Sequence, residues 1–162
     1  MLVGIVSDTH WTRPEQFDLK LYEMLAEVDQ ILHAGDVVKP FVLEKLRDLA
    51  PVTAVRGNCD PSELGLPDSV TLEWEGITIG MFHGHQVALN FSDDVVDYFD
   101  GLADLIIHGH IHVPRRERVG ACTVFCPGSP SQPRHSSPPA IGILEIENGR
   151  FKLEHRALRV PK

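Results

Sequence analysis

The stretch Leu2-Val3-Gly4-Ile5-Val6-Ser7-Asp8-Thr9-His10 is an apolar run that breaks at a polar turn. This is the pattern of a short buried strand with polar side chains just past its end. The pattern recurs downstream. Residues 30–34 read as a second strand running into Gly35-Asp36, and residues 52–56 as a third running into Gly57-Asn58-Cys59-Asp60. Between the first two, Thr12-x-x-Glu15 has capping-box spacing and Pro14 suits a first turn, while Phe17, Leu21, Met24, Leu25 and Val28 recur at helical spacing. Between the second and third, Val42, Leu46 and Leu49 predict a helix that stops before Pro51. The opening third is therefore β-α-β-α-β, which calls for a parallel sheet with helical crossovers.

The remainder is richer in strands. Residues 70–74 and 77–82 flank Glu75-Gly76, and residues 141–146 and 151–157 flank Asn148-Gly149, both hairpin signals. Ser92 starts a short helix with Val95, Val96 and Phe99 facing inward, and Asp93 and Asp94 suit its positive end. Further short strands are expected over residues 105–108, 116–119 and 123–126. Roughly ten strands against three or four helices predict an α/β protein of two mixed β-sheets packed face to face, with helices outside. It is expected to be one domain over residues 1–162, without repeats or a linker. Residues 127–139, rich in Pro and Ser, form a long loop, and such loops in compact domains are often functional.

Composition narrows the possible functions. The 162 residues, 43% hydrophobic and 23% charged, are those of an ordinary globular chain. The longest apolar runs fall far short of the ~20 residues of a membrane helix. Asp8 interrupts the first of them too early for a signal-peptide core, so the chain is expected in the cytoplasm. With 15 Lys and Arg against 23 Asp and Glu, the net charge of -8 disfavours nonspecific nucleic-acid binding. An anionic substrate therefore needs a local cation. Cys122 and Cys126, if on one strand, lie ~13 Å apart, too far for a disulfide, and free thiols suit a reducing compartment.

Nine histidines are present, and several sit with carboxylates at predicted strand ends. In order the clusters are Asp8-x-His10, Asp36, Asn58, His83-Gly84-His85 and His110-x-His112. Taken singly, Asp8 could be a helix cap and Gly35-Asp36 or Gly57-Asn58 a plain turn. Taken together, two carboxylates, an amide oxygen and several imidazoles suit borderline divalent metals: Mn, Fe, Co, Ni or Zn. They are too many for one ion and about right for two sharing a carboxylate. His33, His135 and His155 are read as packed or solvated, and His108 as closing its strand.

These blocks, with Arg56-Gly57-Asn58-Cys59-Asp60 and Pro127-Gly128-Ser129 ahead of Pro133-Arg134, resemble the calcineurin-like metallophosphoesterase superfamily. Within it they are similar to the small bacterial and archaeal phosphodiesterases. The resemblance implies a four-layer α/β/β/α sandwich and a dinuclear site, with manganese foremost among the metals. One ion would be held by Asp8, His10, Asp36 and His112, the second by Asp36, Asn58, His83 and His110, with Asp36 as the bridge. It implies hydrolysis of a small phosphate ester, a phosphodiester above all, by a hydroxide that bridges the two metals. Asn58 would also orient phosphate. His85 would contact phosphate or donate a proton, and Arg134 and Cys59 would border the substrate.

Cys59 departs from the wider superfamily, in which a histidine commonly follows the asparagine. Because a thiol is a poor acid donor near its usual pKa of ~8.5, this favours esters with acidic leaving alcohols. Other phosphatase chemistries lack their residues: an aspartyl-phosphate mechanism wants a second aspartate where His10 stands, and a Cys-x5-Arg cradle wants arginine where Gly65 stands. The alternative function is a scaffold like the small subunit of the retromer coat, which has this fold and binds partner proteins. Pairing of two copies through an exposed edge strand is left open.

Overall fold

The computed structural model describes residues 1–90 and 92–159. The apolar runs form β1 (Leu2–Val6), β2 (Gln30–His33) and β3 (Val52–Ala54), which are parallel neighbours. The closing hairpin, β9 (Ala140–Glu147) and β10 (Arg150–Ala157), adds two antiparallel strands, giving the order β10-β9-β1-β2-β3. The second sheet contains β4 (Ser69–Trp74), β5 (Ile77–Phe82), β6 (Leu105–Ile107), β7 (Arg115–Val119) and β8 (Cys122–Cys126) in the order β4-β5-β6-β8-β7. Its three central strands are parallel and its edges antiparallel.

Alternation along the strands sorts side chains into layers. Val3, Ile5 and Leu32 face Ile79, Met81, Leu105, Ile107 and Phe125 of the other sheet. The opposite face of the first sheet, with Val6 and Ile31, packs on α1 (Leu19–Met24), its C-cap Leu25 and α2 (Pro40–Arg47) through Leu21, Leu25, Val42, Leu43 and Leu46. On the far side, Phe82, Ile106 and Val124 cover α3 (Ser92–Asp97) through Val95. The result is helices, sheet, sheet, helix, as expected. No helix among the described residues is long and apolar enough to cross a membrane.

The first predicted helix is broken. A 3-10 turn at Pro14–Gln16 ends at Phe17, and Asp18 caps a separate six-residue α1 by accepting from Lys20 N–H at 2.8 Å. Gln16, not Glu15, makes the reciprocal capping contact, its Oε1 accepting from the N–H groups of Thr12 and Arg13. Aspartate in this position competes with the backbone for hydrogen bonds and restarts the helix. The other departures are a 3-10 turn at Ser62–Leu64 and a residue or two at element ends. Cys122 and Cys126 share β8, buried and unbridged.

Candidate metal centre

All five parallel strands that carry candidate residues end at one rim of the sandwich. Asp8 and His10 follow β1, Asp36 follows β2, Asn58 follows β3, His83 follows β5, and His110 and His112 follow β6. The crevice beyond the carboxyl ends of such strands is where open α/β sheets place their ligands. The loops turn sharply. Asp8, His10, Asp36, His110 and His112 have φ of 54°, 46°, 57°, 71° and 59°. Non-glycine residues adopt this left-handed region only where their surroundings hold them. Backbone bonds supply that hold: Asp8 N–H donates to Gly35 C=O at 2.9 Å, and His10 N–H to Asp36 C=O at 3.2 Å. The loops also touch at backbone level. A Cβ on Gly57 would overlap Asp36, and one on Gly109 would overlap the side chains of Ser7 and Asp8.

Asp8, His10, Asp36 and His112 each present a donor atom, all within 4.8 Å of one another. Asp8 Oδ1 is 3.2 Å from His112 Nε2, which lies 3.2 Å from His10 Nε2. Beside them Asn58 Oδ1 lies 3.1 Å from His83 Nε2 and 3.0 Å from His110 Nδ1. Asp36 joins the groups: its Oδ2 is 3.3 Å from His10 Nε2 and 3.4 Å from His83 Nε2, while its Oδ1 accepts Cys59 N–H at 2.8 Å.

Hydrogen bonding on the outer side of the rings shows what this arrangement needs. His83 Nδ1 faces Ala34 C=O at 2.7 Å, and His112 Nδ1 faces Gln132 C=O at 2.7 Å. A carbonyl only accepts, so Nδ1 carries the proton in both rings. In the neutral ring Nε2 is then a lone pair aimed into the site, as a histidine that binds a metal through Nε2 requires. His83 Nε2 lies 3.1 Å from Asn58 Oδ1 and 3.4 Å from Asp36 Oδ2, and where all are acceptors a cation or a proton must sit between them. The residues therefore fit a divalent metal at Asp8, His10, Asp36 and His112, and Asn58, His83 and His110 offer further donors on the other side of Asp36.

The electrostatics agree. Burial alone would raise the Asp36 carboxyl, but hydrogen bonds from His10 and His83 hold it far below the ordinary carboxylate range. Burial pulls His83 and His112 down, yet hydrogen bonds to Asp36 and Asp8 respectively outweigh it and raise both rings above the usual imidazole value. Burial and then the charge of His83 push His110 down. The site attracts positive charge within a chain of net charge -8.

The structure brings the other sequence candidates to the rim in different ways. His85 is exposed, its ring centroid 5.5 Å from that of His83 and 6.3 Å from that of His110. Burial and then His83 lower its pKa. Cys59 is exposed, and desolvation followed by the Asp36 charge pushes its thiol up to about 11, so it is a neutral thiol. Arg134 reaches the site by its backbone, donating N–H to His112 C=O at 3.2 Å. His33 is buried behind Thr9, His155 stacks on Phe125, and His135 is exposed, in keeping with their packed or solvated reading.

Three supports had no role from sequence. Asp60 binds the loops that carry Asp36 and Asn58. Buried Ser129 donates its hydroxyl to Asp8 C=O at 2.8 Å. Gln132 acts through its carbonyl on His112. Asp60 and Ser129 stood inside quoted motifs, but the partners that tie them to the site include backbone groups of distant loops.

The family model for the calcineurin-like phosphoesterase superfamily domain matches residues 1–149. This chain belongs to that superfamily. Among its relatives, a probable metallophosphoesterase from Methanothermobacter thermautotrophicus is 34% identical over 95% of this chain and 91% of its own. A phosphodiesterase from Methanocaldococcus jannaschii is 29% identical over 94% of this chain and 97% of its own. Among solved structures, wild-type Vps29 of Entamoeba histolytica complexed with zinc superposes with a TM-score of 0.81 at 25% identity, covering 98% of this chain and 100% of that one. Calcineurin-like metallophosphoesterases use divalent metals, and the cluster of Asp8, His10, Asp36 and His112 is where this member presents matching donors.

Proposed function

We propose that this chain is a metal-dependent phosphoesterase acting on small phosphodiesters. Asp8, His10, Asp36 and His112 would hold one divalent ion, manganese foremost, and Asp36, Asn58, His83 and His110 a second. The observation that carries the reading is Asp36 Oδ2, 3.3 Å from a histidine of one set and 3.4 Å from a histidine of the other. When bound, such ions lower the pKa of water and offset charge on the phosphoryl oxygens.

The chain's own groups do the rest. Asp36 stays ionised, held so by the hydrogen bonds from His10 and His83. Asn58, with Oδ1 turned to His83 and His110 and Nδ2 donating to Cys59 Sγ at 3.5 Å, is exposed and has its second amide N–H to orient a phosphate oxygen. His85 stands beside both rings, placed to hydrogen-bond a phosphoryl oxygen or give a proton to the departing one. Cys59 keeps its proton at Sγ, so leaving alcohols that depart without strong acid assistance are favoured. Arg134 would add a cation from the proline-rich loop. The phosphodiesterase among the relatives supports the preference for diesters. Residues 1–162 are taken as one domain, and three free thiols agree with a cytoplasmic setting.

The test is hydrolysis of a chromogenic phosphodiester after chelation and after restoring Mn2+ or Ni2+. The reading expects loss, recovery, and no recovery in Asp36→Ala; activity that survives both chelation and Asp36→Ala overturns it. The likeness to Vps29 supports a second reading, a scaffold for partner proteins. Inactivity with every metal against a panel of diesters and monoesters would favour that one.

A further inference from the structure

Asp60 ends the Gly57-Asn58-Cys59-Asp60 loop and is 9% exposed. Its Oδ2 accepts N–H from Asp36 at 3.0 Å and from Gly57 at 2.7 Å, and its Oδ1 accepts N–H from Val38 at 2.6 Å. Two of these donors belong to residues with left-handed backbone, Asp36 at φ 57° and Val38 at φ 71°. For the β-branched Val38 that conformation is a true outlier, kept only where something holds it.

The bond is reciprocated. Asp60, from the loop after β3, binds the backbone of the loop after β2, while Asp36, from the loop after β2, binds the N–H of Cys59 after β3. Each loop's carboxylate is seated on the other's backbone. Gly57 lets them approach, since any side chain there would overlap Asp36. Asp36 Oδ1 is occupied by this exchange, which leaves Oδ2 alone to face both histidine sets.

We infer that Asp60 is the positioning residue of the dinuclear site, clamping Asp36 in the backbone conformation that offers one oxygen to both ions. The inference rests on the two-ion reading above. It gives Asp60 no contact with substrate. A carboxylate suits the task because it accepts at both oxygens, whereas the isosteric amide turns an NH2 group toward backbone donors.

The test is Mn2+ binding by the full chain, followed by titration calorimetry and electron paramagnetic resonance, with no activity assay. The parent should take up two ions and show the exchange-coupled signal of a manganese pair. Asp60→Asn should bind the second equivalent at least about tenfold more weakly and show uncoupled manganese instead, in line with the usual tenfold to hundredfold loss when an outer-shell partner is removed. A merely structural Asp60 would lower the denaturation midpoint and leave the coupled signal intact, and that result overturns the inference. If Asp60→Asn does not fold, Val38→Gly combined with Asp60→Asn is measured in its place, because glycine accepts the positive φ unaided. It should still lose the second ion at least about tenfold, and parental binding would again overturn the inference. A parent protein that binds no pair of ions removes the metal reading and this inference together, whereas a pair kept by both proteins removes the inference alone.

Discussion

The two sides of the cluster are built differently. Asp8, Asp36 and His112 are buried, and His10 exposes 14% of its side chain. This side is strapped by the proline-rich loop, with the Ser129 hydroxyl on Asp8 C=O and the Gln132 carbonyl on His112. On the other side, apart from the shared Asp36, only His83 is buried; Asn58 is exposed and His110 half-buried. The same donor chemistry thus meets two degrees of preorganisation. The strapped side is expected to hold its ion tightly, and the open side to exchange its ion and face the substrate. The two should fill in that order.

The largest expected effect is at the shared residue. Asp36→Ala should lower metal-restored phosphodiester hydrolysis by at least about 10²-fold and weaken both binding events, because it removes charge from both sets. Loss of only one event would show that Asp36 belongs to one side. Asn58→Ala comes next: turnover should fall and only the weaker Mn2+ event should shift, while the denaturation midpoint of the metal-free protein stays within ~0.5 kcal/mol, as for an exposed residue. Equal loss of turnover and stability would make Asn58 a structural turn. Ser129→Ala should do the reverse. It should cost about 1–3 kcal/mol, because the Ser131 and Gln132 N–H groups lose their acceptor and Asp8 C=O keeps only the 3.3 Å bond from the Ser131 hydroxyl, and it should weaken the tighter event first, which calorimetry on the variant checks.

Two further effects concern the surroundings of the two sides. Cys59→His should improve hydrolysis of esters with poor leaving alcohols, read as a shallower dependence of rate on leaving-group pKa. An unchanged dependence places Cys59 outside the proton path. Behind the strapped side, burial holds His33 down to about 4. An imidazole held below its unfolded value of about 6.5 contributes stability that is intact above pH 6.5 and is lost as pH falls toward 4, because the unfolded chain takes up the proton first. His33→Gln should therefore flatten the acid side of the stability profile by up to about 3 kcal/mol, measured as urea midpoints of the metal-free protein. A parallel profile would contradict this.

What could be read from the chain followed the range of the forces involved. β1, β2 and both hairpins were legible because their apolar runs and turn residues are local signals. The first helix was misjudged because its apolar spacing continues through Asp18, while the backbone follows the carboxylate cap and breaks there. The candidate ligands were legible because each stands within five residues of the end of an apolar run. Asp60 and Ser129 were visible as letters but not as functions: one binds N–H groups 22 and 24 residues away, and the other a carbonyl 121 residues away. No periodicity records such pairings. Nor could sequence separate the strapped side from the open one, since Asn58 and Asp8 differ in burial only after the sheets close.

The most direct measurement is anomalous diffraction from crystals of the protein soaked in Mn2+. The account predicts two peaks, one on each side of Asp36 Oδ2, with the peak beside Asp8 and His112 the fuller at low metal concentration. A single peak, or peaks away from Asp36, would contradict it.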